Sequence, residues 1–246
     1  ALECALLLLF GMQPLDAVMH TFSTVAIGGF SPRNESIGSY NSGWIDLVVT
    51  VFMLAAGVNF SLYFRLSRGE LRSLVTNIEL RVYMAIAATA ALVVTLSLYG
   101  PVYNTIAESL RYGAFQAVSI LTTTGYTTTD YNRWPTLAQA VLIALMFVGA
   151  CAGSTGGGIK VVRIIALFKQ AANELRYLIN PRGVFPTRIA LRPLKKDILY
   201  PIASFFYLYV ALLIVTMLVV ASAGTDLLSA FSTALATVGN IGPGFG

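Results

Sequence analysis

The chain has 246 residues, 57% hydrophobic and only 11% charged, where soluble domains carry about 25% charged residues; composition alone excludes an ordinary soluble globule. The net charge of +5 does not argue for nucleic acid, because no basic face interleaved with aromatic residues occurs. One histidine, His20, excludes a multi-histidine metal cluster, and two distant cysteines in apolar surroundings, Cys4 and Cys151, exclude a disulfide framework.

Residues 1–11 read as the tail of a membrane-spanning helix, with no basic leader of the secretory kind. The abrupt start and stop inside apparent repeats read as those of a fragment. Runs at 45–64, 82–99 and 198–223 are long enough to cross about 30 Å of hydrocarbon, which takes roughly 17–25 residues. A run at 137–152 is a little short; it meets the glycine-rich stretch 153–158 and resumes over 159–168, as one span with a broken middle. Between the spans lie apolar segments too short to cross, at 14–25, 105–121 and 226–235. Pro14 and Asp226 stand where helix N-termini favour them. Re-entrant half-helices fit these lengths.

Each short segment ends in a similar run. Residues 19–30, 115–126 and 229–240 can be superposed on Gly29, Gly125 and Gly239, with Ser23, Ser119 and Thr233 six positions earlier. Irregular chain at membrane depth survives only where it is buried or lines a cavity. Three such runs in register are expected to line a pore. The fold class expected is an all-α membrane protein, with helix–pore loop–helix repeats and re-entrant half-helices around a central ion pathway.

Basic residues orient the chain. Arg65, Arg68, Arg72 and Arg81 fall on one side, as do Lys160, Arg163, Lys169, Arg176, Arg182, Arg188, Arg192, Lys195 and Lys196. These are thirteen of the sixteen Lys and Arg. The positive-inside rule makes that side cytoplasmic. The opposite face has Arg33, Arg111 and Arg133 against Asp16, Glu35, Asp46, Glu108, Asp130 and Asp226, a net of −3. Charge of that sign concentrates cations in an outer vestibule, though solvated outer loops would also be acidic.

Backbone carbonyls and hydroxyls replace the water around a monovalent cation without adding net charge, and glycine tolerates the backbone angles required. Candidate ion ligands are Ala26, Ile27, Gly28 and Gly29; Thr122, Thr123, Thr124 and Gly125; and Ala236, Thr237, Val238, Gly239 and Asn240. A second constellation is Gly149, Gly153, Ser154, Thr155, Gly156, Gly157, Gly158 and Lys160. An interior glycine costs a helix about 1 kcal/mol relative to alanine, so the helix is expected to unwind here; close packing through small residues is the alternative. A phosphate-binding loop is excluded, because Ile159 stands where that motif needs lysine.

The runs 23–31, 121–127, 149–160 and 236–244 resemble the Trk/Ktr/HKT superfamily of potassium transporters, and within it the bacterial TrkH-type subunit. The resemblance implies four helix–pore loop–helix repeats around one pore. On that plan residues 1–68 are the second repeat with an incomplete first helix, 69–180 the third with a broken second helix, and 181–246 the fourth without its last helix. It further implies potassium bound at the three loops and Gly29, Gly125 and Gly239 as filter glycines. An intramembrane gating loop is implied at 149–158, with Lys160 anchoring it. The implied setting is multi-pass in the cytoplasmic membrane bilayer, as a homodimer, with a cytosolic nucleotide-binding regulator and no cofactor beyond the transported ion.

Two other readings compete. A gradient-coupled secondary transporter would use an ionisable group within the membrane, for which Glu3 is the candidate. An intramembrane serine protease would need Ser154 beside His20, without an evident orienting third group. Asn59 is expected to bond a neighbouring helix. The sequon at 34–36 is read as chance.

Overall fold

The computed structural model describes residues 1–183, 188–189, 192–193 and 196–245. Parts of the basic stretch expected to face the cytoplasm, Lys195 among them, lie outside the described residues.

Short helix α1 (Leu2–Leu9) leads into α2 (Pro14–Val25), which opens with Pro14 in its first turn, where no intrahelical partner for its missing N–H is needed. A return segment then leads to α3 (Gly43–Ala56) and α4 (Phe60–Ser67). The run 45–64, expected as one span, is bent by 92° between these two helices. The cause is local: Asn59 caps α4 by accepting from Ser61 N–H (2.9 Å) and Ser61 Oγ (2.7 Å), which starts a new helix. Asn59 is therefore a cap, correcting its expected role as a bond to a neighbouring helix.

After the short α5 (Leu71–Thr76), α6 (Ile78–Leu98) is 21 residues long, about 32 Å at 1.5 Å per residue. Its hairpin partner α7 (Ile106–Leu121) starts with a reciprocal cap: Thr105 Oγ1 accepts from Glu108 N–H (3.2 Å) and donates to the Glu108 carboxylate (2.9 Å). Helices α8 (Thr136–Met146) and α9 (Val161–Ile179) flank the break foreseen in the glycine-rich run. A two-residue antiparallel pair, β1 (Arg188–Ile189) with β2 (Arg192–Pro193), precedes α10 (Lys196–Ser222). The last helix, α11 (Leu227–Val238), is capped by Asp226 accepting from Ser229 N–H (3.1 Å).

Among the described residues, α6 and α10 are long and apolar enough to cross a membrane, and the bent α3–α4 pair passes the same test together. Much of α10 is exposed and apolar, including Leu208, Leu212, Val215 and Val219, a surface that lipid satisfies. The short α7 is the opposite. Phe115 and Val118 belong to one apolar core with Leu7, Ile45 and Met53. Ala117, Ile120 and Leu121 belong to another with Val94, Leu142 and Leu235. Every residue of α7 from Phe115 to Leu121 is buried. The C-terminal half of α7 is thus enclosed by protein on every side and joins the two cores.

Candidate ion pathway

Helices α2, α7 and α11 end in the same way. The residue after each helix closes it: Ala26 N–H donates to Phe22 C=O (2.9 Å), Thr122 to Val118 (2.9 Å) and Gly239 to Leu235 (2.8 Å). The next residue is left-handed in every case: Ile27 (φ 54°), Thr123 (φ 62°) and Asn240 (φ 55°). Then Gly28 N–H returns to Ser23 C=O (2.8 Å), Thr124 to Ser119 (2.9 Å) and Ile241 to Ala236 (2.8 Å), as at other left-handed helix ends. A second left-handed residue follows, always glycine: Gly29 (φ 67°), Gly125 (φ 85°) and Gly242 (φ 104°). Three loops share one backbone, residue for residue.

This register corrects the third loop. Gly239 is the cap of α11, not the counterpart of Gly29 and Gly125; that counterpart is Gly242. Ala236, Thr237 and Val238 are the end of the α11 helix, so they lie one helical turn before the loop they were expected to form. The loop proper is Asn240–Gly242. The hydroxyl at Thr233 was likewise aligned by coincidence, since Ala236 occupies the position of Ser23 and Ser119. Capping position, not the nearest glycine, fixes where the chain leaves its helix.

The loops stand side by side. A Cβ on Gly29 would overlap the carbonyl oxygen of Thr124, and one on Gly125 would overlap that of Ile241. Each glycine therefore meets the residue just before the glycine of the next loop. Both glycines also have φ values that L side chains rarely adopt, so any replacement is strained twice. Left-handed Ile27 and Thr123 are β-branched, where that conformation is a true outlier; surrounding bonds hold them there.

Those bonds are numerous. Ser119 Oγ donates to Tyr126 C=O (2.7 Å), and Tyr126 hydroxyl to His20 C=O (3.2 Å). Tyr131 hydroxyl donates to Gly244 C=O (2.7 Å), and Ser232 Oγ to Phe245 C=O (2.8 Å). His20 is bonded through Nδ1 to Asp16 C=O (2.7 Å) and through Nε2 to Ser31 Oγ (3.0 Å). Ser154 Oγ donates to Cys151 C=O (2.6 Å). Serine and histidine are thus engaged with different partners and not with each other, unlike the pairing the protease reading needs.

On the outer face each arginine meets an aspartate: Arg33 with Asp16 (2.8 Å), Arg111 with Asp46 (2.6 Å) and Arg133 with Asp130 (3.2 Å). The excess negative charge resides on Glu35, Glu108 and Asp226. Tyr40 hydroxyl also donates to Asp16 (2.6 Å); that bond, with Arg33 beside it, holds the Asp16 carboxyl below the usual carboxylate range. Desolvation, with the Asp16 bond, pushes Tyr40 up to about 12.

Beneath the loops runs the glycine-rich segment between α8 and α9. Gly149 N–H donates to Ile159 C=O (2.8 Å), closing the segment at its neck. Its tip touches all three half-helix ends. Thr155 Oγ1 donates to Val25 C=O at the end of α2 (3.1 Å). Gly157 N–H donates to Thr123 Oγ1 after α7 (2.7 Å). A Cβ on Gly157 would overlap the Gly239 carbonyl oxygen after α11, and one on Gly156 would come within 3.0 Å of Thr122 O. Glycine is required here for close approach. Lys160 Nζ bonds back to the Gly156 carbonyl, with Ser154 Oγ at 3.4 Å.

Among the described residues no group of three His, Cys, Asp or Glu converges as a metal site. The oxygen-rich surfaces are the loops themselves. Fold and site define a polytopic membrane protein built from helix–re-entrant loop–helix units, whose loops meet edge to edge over a glycine-rich segment.

The chain belongs to the TrkH family of cation transport proteins, whose model matches residues 7–246. It is 40% identical to the Trk system potassium uptake protein TrkH of Salmonella typhimurium, over 99% of this chain and 51% of that protein. It is 36% identical to TrkG of Escherichia coli, over 97% of this chain and 49% of the relative. The crystal structure of the potassium transporter TrkH from Vibrio parahaemolyticus superposes with a TM-score of 0.94 at 38% identity, covering all of this chain and 53% of that one. The chain spans about half the length of the curated relatives it matches.

Two residues of the site escaped the sequence reading. Gly242 was findable: counting thirteen residues from the caps Gln13 and Asp226 reaches Ala26 and Gly239, which aligns Gly29 with Gly242. Glu79, buried against the glycine-rich segment, had no such signal; it looks like an ordinary acid in a first helical turn.

Proposed function

We propose that this chain forms most of a potassium uptake pathway across the cytoplasmic membrane, with loops 26–29, 122–125 and 239–242 as parts of its selectivity filter. One observation carries the reading: three loops with the same backbone, alternating in the sign of φ, stand edge to edge at the ends of three half-helices. Alternating signs turn successive carbonyls to the same side, the arrangement that substitutes for an ion's water. The half-helix C-termini add partial negative charge towards the same point. The relatives' name, potassium uptake protein, supplies the ion.

In this reading the segment 149–160 is the gate. It lies directly under the loop ends and blocks the axis until it withdraws. Residues 1–68, 69–180 and 181–246 are three consecutive pore repeats. A bilayer, a second copy of the protein and a cytosolic nucleotide-binding regulator are its proposed partners, and the basic segment after α9 is the proposed docking surface. No covalent step is involved.

Rubidium uptake by the full-length protein tests the filter. Gly125→Ala forces a methyl group onto the Ile241 carbonyl and is expected to abolish selective uptake. Unchanged rubidium flux with unchanged exclusion of sodium would refute it. A gradient-coupled transporter is the second reading, favoured by Glu3, which is fully buried on α1. Flux that stops when proton and sodium gradients are collapsed, with the potassium gradient held, would select it.

A further inference from the structure

Glu79 lies in the first turn of α6 and is only 7% exposed. One carboxylate oxygen, Oε1, accepts from two backbone amides: Ala152 N–H (2.7 Å) and Val162 N–H (3.2 Å). Ala152 immediately precedes the glycine run, and Val162 is the second residue of the helix that follows it. The whole tip that touches the loop ends hangs between these two attachments.

We propose that Glu79 is the latch of the glycine-rich gate, a positioning residue that ties the entry and the exit of the segment to α6 and to each other. The inference rests on the gate reading and deepens it. Three features make a carboxylate fit the position. The first-turn amides of α9 have no intrahelical acceptor, and Lys160, which precedes them, makes no side-chain cap. The N-terminal ends of α6 and α9 both favour negative charge. Lys160, bonded to the Gly156 carbonyl, attracts Glu79 electrostatically and ties the tip to the same anchor.

Other contacts along the segment are weaker holds. Cys151 N–H donates to Gly57 C=O (3.0 Å), and Phe60 N–H to Gly153 C=O (3.1 Å), both at the elbow between α3 and α4. These hold the entry alone. At the neck, Gly149 N–H to Ile159 C=O and Val161 N–H to Ala150 C=O (3.3 Å) join the two sides to each other; Glu79 fastens both sides to α6.

The test uses the full-length protein in phosphatidylethanolamine–phosphatidylglycerol liposomes, comparing wild type with Glu79→Gln and Glu79→Ala. Two quantities are read: backbone hydrogen exchange across 147–163, and basal rubidium influx without a regulator. Hydrogen bonds to a charged group are about twice as strong as neutral ones. Glu79→Ala is therefore expected to raise exchange in the segment about tenfold or more, with exchange in 118–128 unchanged. Glu79→Gln keeps the oxygen without the charge and falls between. Basal influx rises in the same order. Exchange that rises while influx stays fixed supports the latch and overturns the gate reading. Unchanged exchange at 147–163 in Glu79→Gln overturns the latch, and this variant decides the matter if the alanine variant does not fold.

Discussion

The loops after α2, α7 and α11 and the glycine-rich segment beneath them are both irregular chain at the centre of a membrane protein, yet they are held by different means. The loops interlock: Gly29 and Gly125 each abut the next loop's carbonyl, and Tyr126, Tyr131, Ser119 and Ser232 tie their exits to neighbouring backbone. The segment at 149–160 is held at its neck and hinges, while its tip meets the loops through Thr155 and Gly157. Glycine serves two purposes in consequence. In the loops it permits left-handed backbone; at the tip it permits close approach. On the proposed reading, the interlocked loops are the frame and the segment beneath them is the plug that selective, switchable passage needs.

Substitutions of the same size should have opposite effects in the two regions. The largest effect is expected for Gly125→Ala, where overlap with the Ile241 carbonyl and a φ of 85° coincide; selective rubidium uptake should fall by about a hundredfold or more, since misplacement by 1 Å costs that much. Gly157→Ala should act in the other direction. Its methyl group meets the Gly239 carbonyl, so the tip is driven from the loops and basal rubidium flux should rise about tenfold. A fall in flux there, without loss of folded protein, would erase the distinction between frame and plug.

Lys160→Gln sharpens the comparison further. It removes the charge bonded to the Gly156 carbonyl, and a several-fold rise in basal flux is expected, smaller than that of Gly157→Ala because the backbone contacts remain. The smallest effect belongs to the outer brace at Asp16. Its carboxyl is held below the ordinary range by Tyr40 and Arg33, so its contribution to stability is present above the unfolded value of about 3.9 and is lost as pH falls through the folded value. The thermal midpoint of Asp16→Asn should lie slightly below wild type at pH 7, with the difference vanishing in acid. Selective uptake at pH 7 should barely change, because Asp16 lies in the first turn of α2, at the opposite end of that helix from the loop at 26–29.

Much of the architecture was legible from local rules. The short apolar segment at 14–25 is α2 itself, and Thr105 and Asp226 begin α7 and α11 as caps should. The break at the glycine run was legible because glycine weakens a helix wherever it occurs. The 92° elbow at 57–59 was hidden, since a continuous apolar run gives no sign of a turn made by one asparagine. The third loop was misplaced by three residues for a comparable reason: matching glycine to glycine ignored where α11 begins.

The sequence by itself determined that this chain is a membrane protein of short and long helices, because length against hydrocarbon thickness and the sign of loop charge are properties of segments. Tertiary structure alone decided that Gly242 pairs with Gly29 and Gly125, and that Glu79 reaches both sides of the glycine run. Those relations join residues far apart in sequence, through backbone carbonyls and amides that every residue carries. A list of side chains holds no trace of which of them will meet.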